Sequence, residues 1–242
     1  MRAIYSLLAV VAGVLLAGCA SMPQGATPIA ATQEYAEREP IGGSLFPSDQ
    51  AVLSDEAVQR ILSSKLELPA KAKLALMRFP EAAGSRYYWR EEDSSKTQEA
   101  QVETLSKALL ASDMIAEVTP LPSLMTPTRL SLPILREAAV RMQADLLLVY
   151  RVGSDTYSRY RLFAKDKVKA YSTCELVLLD VRTGLVPFTR VVSRECVELK
   201  LPADLDLSET VRRAEQASSA DALRAAADDL VGFVKSVPRK GP

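Results

Sequence analysis

The stretch Leu146-Leu147-Leu148-Val149-Tyr150-Arg151-Val152 decides the fold. Its first four residues are apolar without a break, so they leave no polar face. A half-buried strand alternates apolar and polar; a continuous run predicts a strand covered on both faces. The run is too short for a buried helix, and it is rich in branched and aromatic residues. It therefore marks the centre of a sheet that has helices on each side.

The flanking sequence supplies the layers. Upstream, Leu74-Ala75-Leu76-Met77-Arg78-Phe79 reads as a compact apolar strand stopped by Pro80. A polar, aromatic loop, residues 81–96, leads to a helix opening at Thr97 or Gln98, with Val102, Leu105, Ala108 and Leu109 on one face. Residues 115–119 read as a short strand and 120–129 as a Pro-rich loop. Ser131 caps the next helix, Pro133 sits in its first turn, and Leu135, Ala138, Ala139 and Met142 form its apolar face. Downstream, two long strands are predicted over 167–181 and 186–198, joined by a turn at Arg182-Thr183-Gly184 in which Gly184 supplies a positive φ. Ser208 then caps a helix, and Ser218 or Ser219 caps another carrying Leu223, Ala226, Leu230 and Val234. The expected class is α/β (α+β): a mixed sheet of about five strands with helices packed on it, ending in an antiparallel hairpin.

The N-terminus reads as an address. Arg2 precedes an apolar stretch, residues 3–16, too short to span a bilayer, which takes roughly 20 residues. It fits the apolar region of a secretory signal. It ends in Leu16-Ala17-Gly18-Cys19, which resembles the lipobox of bacterial lipoproteins. The resemblance implies a signal peptide over 1–18, cleavage before Cys19, and a lipid on the Cys19 thiol and on the new amino group. The other readings are an uncleaved anchor or an ordinary signal with a chance cysteine. Residue 20 is Ala, not Asp, which by that family's sorting rule favours the outer membrane. One acyl chain binds reversibly and several hold firmly. Residues 19–50 are rich in small and polar types and read as a flexible tether with a reach of roughly 30 Å. Residues 51–70 hold an N-terminal helix capped by Ser54, with Val58, Ile61 and Leu62 at helical spacing, and the α/β domain spans 71–237.

Composition narrows the function. The chain carries 30 basic and 30 acidic residues, so no global field recruits nucleic acid. It contains no His, which removes Ser-His-Asp triads, Cys-His dyads and His-based zinc sites. No Ser-x-x-Lys, Gly-x-Ser-x-Gly, phosphate loop or dinucleotide fingerprint occurs, and no cofactor is expected. Asp204, Asp206, Ser208 and Glu215 fall at calcium-loop spacing, but Glu209 stands where that loop needs glycine, so the segment reads as a loop feeding a capped helix. The acidic runs Glu91-Glu92-Asp93 and Asp228-Asp229 read as solvated charge.

Three segments in order, 73–80, 144–149 and 175–184, the last ending Leu179-Asp180-Val181-Arg182-Thr183-Gly184, resemble envelope lipoproteins related to the curli secretion channel subunit. The same layout is similar to the N-terminal domain of the Tol-system periplasmic protein. The resemblance covers about residues 71–235 and its motifs report strands and turns. It implies an envelope function, with an oligomeric export accessory as one form of it. Membrane-crossing hairpins need strands of about 9–11 residues, and Asp155 to Val168 is too short and too charged to supply two.

Two patches combine Arg with aromatic residues, the types enriched at binding hot spots. One is Arg86, Tyr87, Tyr88, Trp89 and Arg90; the other is Arg151, Tyr157, Arg159, Tyr160 and Arg161. They predict contact with another envelope protein or with peptidoglycan, or else aromatic bodies covering a sheet edge. Cys174 and Cys196 lie on the two hairpin strands and, in an oxidising compartment, invite a disulfide. With a two-residue turn they miss direct opposition by three residues, which a bulge or longer loop repairs. The alternative is two small buried residues. The expectation is a non-enzymatic binding or assembly factor on the periplasmic face of the outer membrane, held in the lipid bilayer through acylated Cys19. A cell-wall enzyme is the weaker alternative.

Overall fold

The computed structural model describes residues 45–46, 53–80, 91–126, 130–159 and 166–240, with backbone alone at 91–94 and 158–159. The signal peptide, Cys19 and nearly all of the tether fall outside these residues. In chain order the elements are α1 (Asp55–Ser63), β1 (Ala72–Arg78), α2 (Glu91–Leu110), β2 (Ile115–Pro120), a 3-10 turn (Ser123–Met125), α3 (Leu132–Arg141), β3 (Leu146–Arg159), β4 (Lys167–Asp180), β5 (Phe188–Leu199) and α4 (Leu207–Ser236).

The five strands form one mixed sheet in the order β2-β1-β3-β4-β5. β1 runs parallel to β2 and β3, with Leu74–Arg78 beside Leu146–Tyr150. β3–β4 and β4–β5 are antiparallel. Asp145 sets the register at the start of β3. Its N–H donates to Lys73 O and its Oδ2 accepts from Lys73 N, both at 2.9 Å, while its carbonyl accepts from Val181 N at 3.0 Å. One residue thus ties β1, β3 and the end of β4 together.

Helices cover the central strands on both faces, as the apolar run requires. On one face α2 and α4 bring Leu105, Leu109, Leu223, Ala226, Leu230 and Val234 against Leu74, Leu76, Leu146, Leu148, Leu176 and Leu178. On the other, Leu135 and Ala139 of α3 cover Ala75, Met77, Leu147, Val149 and Leu179. Each fully buried Leu contributes on the order of 2 kcal/mol. None of the nine residues of α1 is buried, although Ser54 Oγ caps it at Ala57 N, 3.3 Å away.

Four sequence expectations need correction. β3 does not end at Val152 but continues to Arg159, so β3 and β4 pair over 14 residues each, from Leu146–Asp180 to Arg159–Lys167. The polar residues beyond Val152 alternate between the two faces of the strand, and Ser154 meets the Ser172 hydroxyl at 2.7 Å on the α4 side. The two C-terminal helices are one helix of 30 residues. Its cap is Asp206, which accepts from Glu209 N at 3.2 Å. Ser218 and Ser219 lie inside it, their hydroxyls turned back onto Glu215 O and Gln216 O. α2 begins at Glu91 rather than near Thr97.

The fourth correction concerns the hairpin and its cysteines. The connection from Asp180 to Phe188 is longer than two residues and is organised by the Asp180 carboxylate. Oδ2 accepts from Thr183 N at 3.2 Å and from the Thr183 hydroxyl, and Gly184 N returns to Asp180 O at 2.9 Å. Gly184 sits at φ +82°, and Arg136 Nε from α3 holds Val181 O at 2.6 Å. In the resulting register Cys174 faces Val192 and Cys196 faces Ala170. The two cysteines share a face but stand four positions apart, about 13 Å along the strand. A disulfide spans less than about 7 Å between Cα atoms. Both thiols are free.

Candidate functional site

α3 covers only the half of its sheet face near the start of β3. From Arg151 onward, no other described element covers this face of β3, β4 and β5, which is called the bare face below. Cross-strand pairing sets its rows: Arg151–Glu175–Val191, then Gly153–Thr173–Ser193, then Asp155–Tyr171–Glu195, then Tyr157–Lys169–Val197. The opposite side of the same strands is apolar and packs on α4, with Val168 and Ala170 against Val211 and Ala214. This period-2 division is why one face is dry and the other wet.

The bare face carries large side chains. Tyr157 and Val191 are each 64% exposed, Tyr171 43%, Val197 44% and Leu199 47%. Polar pairs lie among them. Lys169 Nζ meets Glu195 at 2.5 Å, and the Thr173 and Ser193 hydroxyls share a hydrogen bond of 2.9 Å. Apolar bodies set among exposed, salt-sensitive polar pairs describe a surface that can dock a partner. No helix among the described residues is long and apolar enough to cross a membrane, and no described group of His, Cys, Asp or Glu could hold a metal ion.

The sequence-derived patches fare unevenly. Arg151 and Tyr157 share the bare face, three pairing rows apart. Arg151 is held in place: it donates to Glu175 Oε2 at 2.5 Å and stacks 5.7 Å from the Phe79 ring centroid. Arg159 ends β3 opposite Lys167, with its side chain outside the description. Tyr160, Arg161 and the whole of Arg86, Tyr87, Tyr88, Trp89 and Arg90 fall outside the described residues. Tyr171, Lys169, Glu195, Val191, Val197 and Leu199 were missed. The alternation of Lys167, Lys169, Tyr171, Thr173 and Glu175 against Val168, Ala170, Ser172 and Cys174 was the available signal.

Several titratable groups are shut in or occupied. Burial pushes the Cys174 thiol up to about 12. Desolvation also raises Tyr150 to about 12, despite the nearby positive charge of Arg78. Asp204 and Asp206, half of the calcium-like spacing, bind Arg213 and cap α4 instead. A cavity of about 330 Å³ at the far end of the sheet is lined by Glu67, Leu68, Arg136, Asp145 and Asp180, among others. Its Arg136, Asp145 and Asp180 side chains are spent on backbone hydrogen bonds.

No family model and no curated protein sequence matches the chain. Solved structures do. A dodecamer of a PelC variant from Paraburkholderia phytofirmans is 17% identical, with 67% of this chain and 93% of that chain covered, at a TM-score of 0.32. A neuraminyllactose-binding hemagglutinin homolog from Helicobacter pylori is 10% identical, covering 70% and 88%, at 0.45. A minor lipoprotein from Acinetobacter baumannii is 10% identical, covering 67% and 94%, at 0.36. Several other similar structures also carry the name lipoprotein.

Proposed function

We propose that this protein is an outer-membrane lipoprotein, anchored through Cys19 and facing the periplasm, that binds another envelope component through the bare face of β3, β4 and β5. It acts by holding a partner, not by turning over a substrate. The observation that carries the reading is the uncovered sheet face with Tyr157, Tyr171 and Val191 exposed on it. Tyr offers large rigid contact area with one polar tip, suited to a protein partner or to the sugars of peptidoglycan.

The test is a pull-down of the full chain from crosslinked envelopes. A Tyr157→Ala, Tyr171→Ala double variant should lose at least one crosslinked product that the parent chain captures. An unchanged set of products, with folding intact, overturns the assignment of this face. Trp89→Ala tests the other aromatic patch in the same way. Anchoring has its own readout: Cys19→Ser should abolish acyl labelling and leave the precursor uncleaved.

A second reading, an export accessory of the curli-channel kind, draws on the 14-residue pairing of β3 with β4, long enough for membrane-crossing strands. Against it, the apolar side of that hairpin is already covered by α4. Assemblies of eight or more subunits would favour this second reading.

A further inference from the structure

The outer edge of β5 has no strand partner among the described residues. β5 is an edge strand of 12 residues without proline or glycine. Natural edges are usually short, blocked or covered. β2, the opposite edge, has six residues and ends in Pro120.

Parity shows which backbone groups of β5 point outward. Lys200 N donates to Asp166 O at 3.0 Å, one step beyond the Lys167–Leu199 pair. Hydrogen-bonded pairs alternate along an antiparallel ladder. The even-numbered residues of β5 therefore direct their N–H and C=O at β4. The odd-numbered Val191, Ser193, Glu195, Val197 and Leu199 direct theirs outward; the Arg194 and Arg213 guanidinium groups reach Ser193 O and Leu199 O there, and among the described residues no strand pairs with that side.

We propose that a second copy of this chain docks there, β5 against β5, antiparallel about a two-fold axis at Cys196. An axis perpendicular to the sheet keeps each residue opposite one on its own face, so only a few registers compete. Centring on Arg194 or on Glu195 sets like charges opposite each other, centring on Val197 sets Arg194 against Lys200 of the partner subunit, and centring on Ser193 leaves Arg194 and Glu195 opposite valines. Like charges directly opposite are destabilising. Centring on Cys196 puts Arg194 opposite Glu198 of the partner subunit, twice over, and adds a second cation to a carboxylate that meets Arg213 of its own chain at 3.3 Å. Arg194 is exposed, and its guanidinium donates to Ser193 O at 2.9 Å. Val197 and Leu199, both nearly half exposed, line the same seam. The two bare faces then run together on one side of a ten-stranded sheet. This inference stands apart from the proposed function, which concerns the face and not the edge.

Cys196 is the probe. As a non-hydrogen-bonded pair, the two cysteines would have Cα atoms about 4.5 Å apart, within disulfide range. Envelopes bearing the full chain are treated with copper(II)-phenanthroline. The oxidant takes two electrons in all, each thiol releases one proton, and one S–S bond forms between copies. The expected product is a band of twice the chain mass on a non-reducing blot. It persists in Cys174→Ser and is absent in Cys196→Ser. Val197→Pro removes one outward N–H and leaves the β4 ladder intact; it should lower the yield at least tenfold, with the melting temperature checked alongside. Arg194→Glu should lower it at least fivefold. Monomer alone, a band that survives Cys196→Ser, or a yield unchanged by both Val197→Pro and Arg194→Glu overturns the proposal. A ring built through other surfaces leaves the Cys196 thiols apart and also gives no band.

Discussion

Arg213 clamps Asp204 at two points: Nη1 to Oδ1 at 2.9 Å and Nη2 to Oδ2 at 3.1 Å. Leu201 N and the Thr210 hydroxyl add two more donors to Oδ2, each at 2.8 Å. The Asp204 side chain is 6% exposed. Bonding to Arg213, and then to the Leu201 amide, holds its carboxyl well below the usual carboxylate range. A depressed value favours the folded state above the unfolded aspartate pKa of roughly 3.9 and loses that contribution as pH falls. Melting temperature should therefore fall steeply below about pH 4. Asp204→Asn should melt lower at pH 7 and show a shallower acid slope. Parallel slopes for the two proteins would refute the role given to the clamp.

The cysteines make a second test. Cys174 is fully buried, and its thiol is pushed up to about 12 by desolvation. Cys196 is half-buried and also raised, again mainly by desolvation. Reagents react with the thiolate. A thiol-reactive dye added to folded protein in the absence of oxidant should label Cys196 slowly and leave Cys174 untouched. Unfolding in guanidinium without reductant should expose both. Mass spectrometry showing a Cys174–Cys196 bridge would contradict the register.

Leu148 and Tyr157 lie on the same strand with opposite burdens. Leu148 is completely buried between the helices; Tyr157 is 64% exposed. Leu148→Ala should cost about 2–5 kcal/mol, while Tyr157→Ala should stay within about 0.5 kcal/mol. Urea titration followed by circular dichroism measures both. A large loss from Tyr157→Ala would mean that the bare face is structural.

Gly184 carries the hairpin connection at φ +82°, and an added Cβ would meet Arg136 Nη1 at 3.7 Å, an ordinary contact. The cost of Gly184→Ala is therefore backbone strain alone, about 1–2 kcal/mol. Equal stability of Gly184→Ala and the parent chain would show that the loop takes another conformation.

Local sequence determined much of this protein. The run at Leu146 announced a central strand because no other element buries four consecutive apolar residues in so short a stretch. Ser54 and Gly184 announced a cap and a turn through their own stereochemistry. The motif at Leu16–Cys19 resembles a lipobox by its residue types alone, and it lies outside the described residues. Tertiary structure decided the rest. Whether β3 stopped at Val152 or ran on to Arg159 depended on β4 being there to pair with polar residues and on α4 covering the reverse side. Whether the cysteines met depended on the seven residues between β4 and β5, and one step of register moves every side chain to the other face. The alternation over Lys167–Glu175 marks a wet face in the sequence, but the extent of the bare surface follows from the short reach of α3, a limit of packing.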